Sequence, residues 1–496
     1  MGNLAQCQFG KKQALSSTRG WEFTVTTLTL GGLAGNKNLS SIFTTTSGGY
    51  SGVTALTMNP GTGAASSYSG IIANGAPGMT LTKSGGGTQT LTRANTYTGA
   101  TTVTGGSLTI GSAGSLVSGN DLTVGAGGTA DFQNVSQQLG AVSNSNTASN
   151  ALNFSQGSGT VVLASLTGGG NTRFASNATV TGGISNGTIA SLGALTANIS
   201  GGTTTVGGVA IVGTMSGGTA NFNGATSAIT TLNGGTVNLG SGTVLTVSNG
   251  STSDAITGSG SLTKTSVGTL TLSGTNTYSG ATLVANGELL VNGSLTGTGA
   301  VTVNSGATLG GTGTIAGDVN VSGMFAPGAS IGRLAVGGDL SLATGSTFAY
   351  EMNSSATPAG DLLVVNGGGV GINSVSIGTN AALTLTDLAG GMFAANTTLS
   401  LIQYMGPWNG GTFSYGANVL TNGEAFSDTY GNQWTIRYDA SGGGDNFAAP
   451  LKDSHFITLS NISAVPEVTS SFTLLGLIGS GLLVRSRRRK HVAPAR

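Results

Sequence analysis

Residues 81–110 read LTKSGGGTQTLTRANTYTGATTVTGGSLTI, and residues 262–291 read LTKTSVGTLTLSGTNTYSGATLVANGELLV. The two align without a gap at an offset of 181, with 16 identities in 30 positions. The identities include Asn95-Thr96-Tyr97 with Gly99 against Asn276-Thr277-Tyr278 with Gly280. A match of this length exceeds shared composition and marks a repeated structural unit. Within it Val, Leu and Ile alternate with Thr and Ser, which puts one residue in two inside and turns hydroxyls outward in β geometry. Gly-Gly and Asn-Gly pairs supply the positive φ of tight corners. The unit reads as short strands joined by glycine corners.

The same pattern fills most of the 496 residues, of which 89 are Gly and only 7% are charged. Abundant Gly and Ser favour disorder and low charge favours a core; the regular alternation decides for order. A Gly/Ser/Thr stalk would not keep it, and an antiparallel sandwich is the other alternative. Downstream come VTVNSGATLGGTGTIAGDVNV and, at 325–342, FAPGASIGRLAVGGDLSL. With the duplicated unit, these segments resemble the autotransporter-associated β-strand repeat, closely over 262–342, clearly over 81–130, and in composition alone between 150 and 250. That resemblance implies a right-handed parallel β-helix.

The expected fold is therefore all-β: a solenoid over 46–345, an aromatic β-rich C-terminal cap over 346–460, and one C-terminal transmembrane helix. Residues 1–45 are expected to form an atypical N-terminal segment or cap. At about 20 residues per coil, 50–345 would stack roughly 15 coils at ~4.8 Å into a rod near ~70 Å.

The chain closes on AVPEVTSSFTLLGLIGSGLLVRSRRRKHVAPAR. Pro466 restrains Val465 to an extended conformation, so Val465-Pro466-Glu467 would enter a protease cleft as a strand. The apolar run 468–484 spans roughly 25 Å as a helix, within reach of a ~30 Å hydrocarbon core. Its glycines suit close helix contacts in lipid. Arg485, Arg487, Arg488, Arg489 and Lys490 then act as a basic stop-transfer cluster, holding the tail 485–496 in the cytoplasm and the bulk of the chain outside. This order of motif, helix and basic tail over 464–490 resembles the PEP-CTERM sorting signal of Gram-negative bacteria. The resemblance implies recognition and cleavage near Pro466-Glu467 by an exosortase, a membrane transpeptidase. Val468 stands where that signal usually has a second proline. A plain membrane anchor is the alternative.

The formal charge of +1 hides an asymmetry: six of the 17 basic residues lie at Arg485 or beyond, leaving 11 against 16 acidic ones, a net −5. A mildly acidic body argues against nucleic acid, which needs a basic stripe. The single cysteine, Cys7, excludes internal disulfides. The opening residues show no apolar secretory leader, so the start is expected to be truncated or misassigned. Passengers of autotransporters continue into a translocating barrel, and none is expected here.

Catalysis finds little to use. Between Asp131 and Asp254 the one charged side chain is Arg173, so paired carboxylates cannot be assembled there. Elsewhere acids occur singly, as at Glu288, Asp318, Asp339, Glu351, Asp361 and Asp387. His455 and His491 are the only histidines, too few for a His-metal or Ser/His constellation. Glu424, Asp428, Asp439, Asp445 and Asp453 could supply oxygen ligands to Ca²⁺, but lack the nonapeptide repetition of Ca²⁺-binding rolls, and loop solvation is expected. No cofactor, metal or small-molecule substrate is expected. Large aromatics gather between 404 and 438; core packing is expected of them, and exposed Trp408 and Trp434 would instead offer glycan contacts. The expected function is a non-enzymatic, exported surface or extracellular-matrix protein, with the membrane, an exosortase and exopolysaccharide as partners. The rival is an adhesin or carbohydrate-binding protein working through 404–438.

Overall fold

The computed structural model describes residues 8–9, 25–42, 50–134, 136–156, 158–357, 359–365, 374–444, 446 and 454–462. Its organising feature is a parallel ladder that begins at Thr27–Leu30 and returns, coil after coil, to Phe413–Tyr415. Nineteen strands take part, each paired in parallel with the next. At ~4.8 Å per step, 18 steps make a rod of roughly 85 Å. Fifteen of the strands fall within 50–345, the number of coils expected.

Two further parallel ladders complete the coil. One aligns Tyr68, Leu91, Ile110, Phe132, Phe154 and Phe174 on successive strands. The other aligns Leu262, Thr282, Val301, Val319, Leu340 and Val375. All twelve side chains are buried. Burial alternates along Thr269–Leu272 and Thr347–Met352, because successive residues point to opposite faces. Each coil buries its apolar face only against its neighbours.

The repeated unit explains its own identities. Leu81, Lys83, Leu91, Asn95, Tyr97, Thr101, Val103 and Leu108 are all buried. Gly99 and Gly280 lie where a Cβ would stand 2.2 Å from a carbonyl of the preceding coil, so only glycine fits. Between 160 and 250 the coils shorten: Ala197 pairs with Val212, 15 residues on, whereas Lys83 pairs with Val103, 20 on. A 20-residue template slips out of register there although the ladder is unbroken.

Both expected boundaries move. Thr27–Leu30 already pairs in parallel with Ala55–Met58, and Gln8–Phe9 lies antiparallel on it. At the other end the coils run on through Thr347–Met352 and Ala381–Asp387 to Phe413–Tyr415. The alternation of TFAYEM and AALTLTD is that of the earlier coils, so nothing physical ends the ladder at 345. An antiparallel cap closes this end: His455–Asn461 pairs with both Thr398–Tyr404 and Gln433–Ala440, and Ala425–Ser427 edges it. Among the described residues no helix is long and apolar enough to cross a membrane. The sorting motif Val465-Pro466-Glu467, the run 468–484 and the basic cluster lie outside the described residues, as do Cys7 and His491.

Candidate functional site

Lysines at equivalent positions of the two repeat units point into the coil. Parity puts Leu81 inside, Thr82 outside and Lys83 inside, so the ammonium must find partners at the corner. Lys83 Nζ donates to the carbonyls of Ser84 (2.7 Å), Gly85 (3.0 Å) and Gly105 (2.8 Å). Lys264 donates to Ser266 O and to Asn286 O (3.1 Å), the positions equivalent to Gly85 and Gly105. Burial lowers the pKa of both lysines, and at Lys264 the charge of Glu288 opposes the shift. Gly106 and Gly287 close the cages at φ +59 and +67, each with an ammonium 2.8 Å from where a Cβ would stand. The carbonyls otherwise left unpaired at the corner take the charge as donor. Tyr97 and Tyr278 repeat the logic: each hydroxyl pairs with the hydroxyl four residues on, Thr101 at 2.7 Å and Thr282 at 2.6 Å.

The isolated carboxylates are stitches between coils. Asp121 accepts the N–H of Ala141 (2.7 Å), Asp318 that of Asp339 (2.8 Å), and Asp339 that of Ser374 (2.7 Å). Asp361 is buried, with Oδ1 accepting Gly332 N–H (2.8 Å) and Oδ2 accepting Glu351 N–H (2.9 Å). Burial raises its pKa to about 7; the two N–H bonds oppose the shift and the charge of Glu351 adds to it. Arg173 donates from Nη1 to Asn153 Oδ1 (3.1 Å), whose Nδ2 donates to Asp131 (2.8 Å). Among the described residues no three of His, Cys, Asp and Glu gather as a metal site.

The aromatic block divides. Trp434 is fully buried, packs edge-on against Phe393 at 5.4 Å, and donates Nε1–H to Asp428 Oδ2 at 2.8 Å. The same carboxylate accepts the N–H groups of Tyr430 and Asn432, both at 2.9 Å, and Asn432 Nδ2 at 2.8 Å. Trp434 thus packs in the core, as expected of the aromatic block, and the alternative of a glycan contact at Trp434 is corrected: no ring face is open to a sugar. Trp408 is half-buried, 5.0 Å from the Tyr438 ring and 6.3 Å from Tyr404. His455 also stacks on Tyr404, at 5.7 Å, and its Nδ1 lies 2.6 Å from Asp439 Oδ1, both side chains exposed. The hydroxyl of Tyr404 donates to Tyr438 O at 2.7 Å. Burial, then the Asp439 charge, raises the Tyr404 pKa. From the sequence His455 reads as a linker or cap histidine, and it opens the cap strand His455–Asn461; nothing local ties it to Asp439, which reaches it only through strand pairing. Of the five acids considered for Ca²⁺, Asp428 and Asp439 are occupied as above, Glu424 accepts from Thr421 Oγ1 at 2.8 Å, and Asp445 and Asp453 lie outside the described residues.

On the solenoid wall a shallow groove of about 260 Å³ is lined by Ser305, Thr308, Ser322, Met324, Thr347 and neighbouring small residues. It offers no acid, base or metal ligand.

The family described as Passenger-associated-transport-repeat matches residues 81–110 and 262–291, the two copies of the repeated unit. The two matches cover 60 of 496 residues and identify the repeat as one of passenger type. No match was found among curated proteins.

Proposed function

We propose that this protein is a non-enzymatic structural component of the cell surface or extracellular matrix, whose working part is the solenoid itself. The observation that carries this reading is the union of passenger-type repeats with a ladder unbroken from Thr27 to Ser414. Its two inward lysines cage carbonyls and several of its carboxylates stitch coils. In this reading the tail 464–490 is a sorting signal cut by an exosortase-type transpeptidase, and the released or anchored rod is embedded in exopolysaccharide.

Membrane fractionation combined with mass spectrometry of the native C-terminus tests it. A surface or matrix chain ending near Pro466 is the expected result. An intact arginine tail in the membrane fraction replaces sorting by plain anchoring. A cytosolic chain overturns the reading.

Trp408 supports a second, narrower reading, an adhesin contact at the cap, because its ring is only half-buried and packs beside Tyr404, on which His455 also stacks. Glycan-array binding lost in Trp408→Ala would favour it.

A further inference from the structure

One outer face of the solenoid carries an axial chain of side-chain hydrogen bonds. On the sheet that buries Phe132, Phe154 and Phe174, the outward residues of successive strands meet in register from Asp131 to Thr257. Asn153 Nδ2 donates to Asp131 Oδ1 (2.8 Å), and Arg173 Nη1 to Asn153 Oδ1 (3.1 Å). Beyond Ala190, Asn221 Nδ2 donates to Thr205 Oγ1 (3.2 Å), Asn238 Nδ2 to Asn221 Oδ1 (3.4 Å), and Thr257 Oγ1 to Asn238 Oδ1 (3.4 Å). Two residues earlier on these strands, Thr188, Thr203, Thr219 and Thr236 form a second row in register.

A carboxamide has two N–H donors and two lone pairs. The axial bonds of Asn221 use one of each and fix the plane of the amide, and the side chain is only half-buried. Its second donor and lone pair therefore point away from the sheet in a preset direction, which lowers the ordering cost of a partner. Eight strands make the track roughly 34 Å long at ~4.8 Å per step. Along the adjoining corner, Leu192 and Val209 are 59% and 46% exposed, an apolar ledge beside the polar rows.

The charge pattern selects the occupant. From 132 to 253 Arg173 is the only charged side chain, and it is bridged by Asn153 to Asp131. A polyanion finds no positive field here. A straight, uncharged polymer with hydroxyl edges and C–H faces matches both the amide–hydroxyl rows and the ledge. We infer that this face is a docking track for a neutral linear polysaccharide lying along the solenoid axis. The inference deepens the matrix reading and rests on it.

Affinity electrophoresis of the full chain tests this, in gels containing a neutral β-glucan or, separately, a uronate polymer. Three proteins are compared: the wild type, the double variant Asn221→Ala with Asn238→Ala, and a control, Thr302→Ala with Asn320→Ala, on another face. Circular dichroism melts establish that all three are folded. The expected result is retardation by the neutral glucan, weakened at least tenfold in the Asn221/Asn238 variant and unchanged in the control. No retardation of the wild type, retardation by the uronate alone, or equal loss in both variants overturns the inference. So does a wild-type dimer in light scattering that the Asn221/Asn238 variant dissolves, since the face would then pair two copies. A surface chain that ignores neutral glucan sinks the track and leaves the surface location standing. A cytosolic chain sinks the matrix reading whatever the gels show.

Discussion

Asp361 carries a charge in a place that resists it. Its carboxyl has one backbone N–H on each oxygen, yet burial outweighs both and raises the pKa from 3.8 to about 7. Between those values the folded chain holds a proton that the unfolded chain has lost. Its contribution to stability is complete below about pH 4, falls as pH rises through about 7, and is flat above. Asp361→Asn removes this slope. Thermal melts of wild type and variant at pH 5 and pH 8 check it: the wild type should gain more on acidification than the variant. Identical pH responses would sink the idea. Little of this was legible, because a lone Asp in a loop does not announce which N–H groups will reach it. Lys83 was more legible than it looked. Two residues from Leu81 in a strand, it shares the inward parity, and the identical lysine at 264 is the sign that the inward position is used deliberately.

At the scale of the strand, Phe132, Phe154 and Phe174 stack at centroid distances of 4.9 and 5.2 Å, nearly parallel at 19° and 11°. The spacing is that of the ladder itself, ~4.8 Å per coil, so in-register phenylalanines have no choice but to stack. Phe154→Ala should cost about 3–5 kcal/mol. In a solenoid each coil feels only its neighbours, so amide exchange should accelerate in Asn120–Phe132 and Asn171–Phe174 but not beyond 260. Uniform acceleration along the chain would contradict nearest-neighbour coupling. Strands and corners were readable because alternation and glycine are local signals. The continuity of the ladder through 160–250 was not, since coils of 15 to 18 residues break a 20-residue comparison without breaking the pairing. The ends were misjudged for a related reason: aromatic content changes at 346, while the parity of the strands does not.

For the whole molecule, a stack of coils is only as secure as its ends, and a buried hub in the cap centres on Asp428. Asp428 gathers Tyr430, Asn432 and the indole N–H of Trp434, and Asn432 Oδ1 in turn accepts Phe393 N–H at 2.7 Å. Composition could reveal that aromatics concentrate here, but not which ring faces inward. That depends on Asp428 lying six residues before Trp434 across a hairpin. The two tryptophans therefore separate packing from contact. Trp434→Ala leaves a cavity and a buried Asp428 oxygen short of one donor, and should cost about 3–5 kcal/mol. Because loss at an end propagates inward only as coils fray, hydrogen exchange should rise over 375–440 while 101–250 stays protected. Trp408→Ala, at a half-exposed ring, should leave both regions within error of wild type. If Trp408→Ala loosened the cap as much as Trp434→Ala, the division into a buried hub and a surface ring would be wrong, and with it the case for Trp408 as a contact residue.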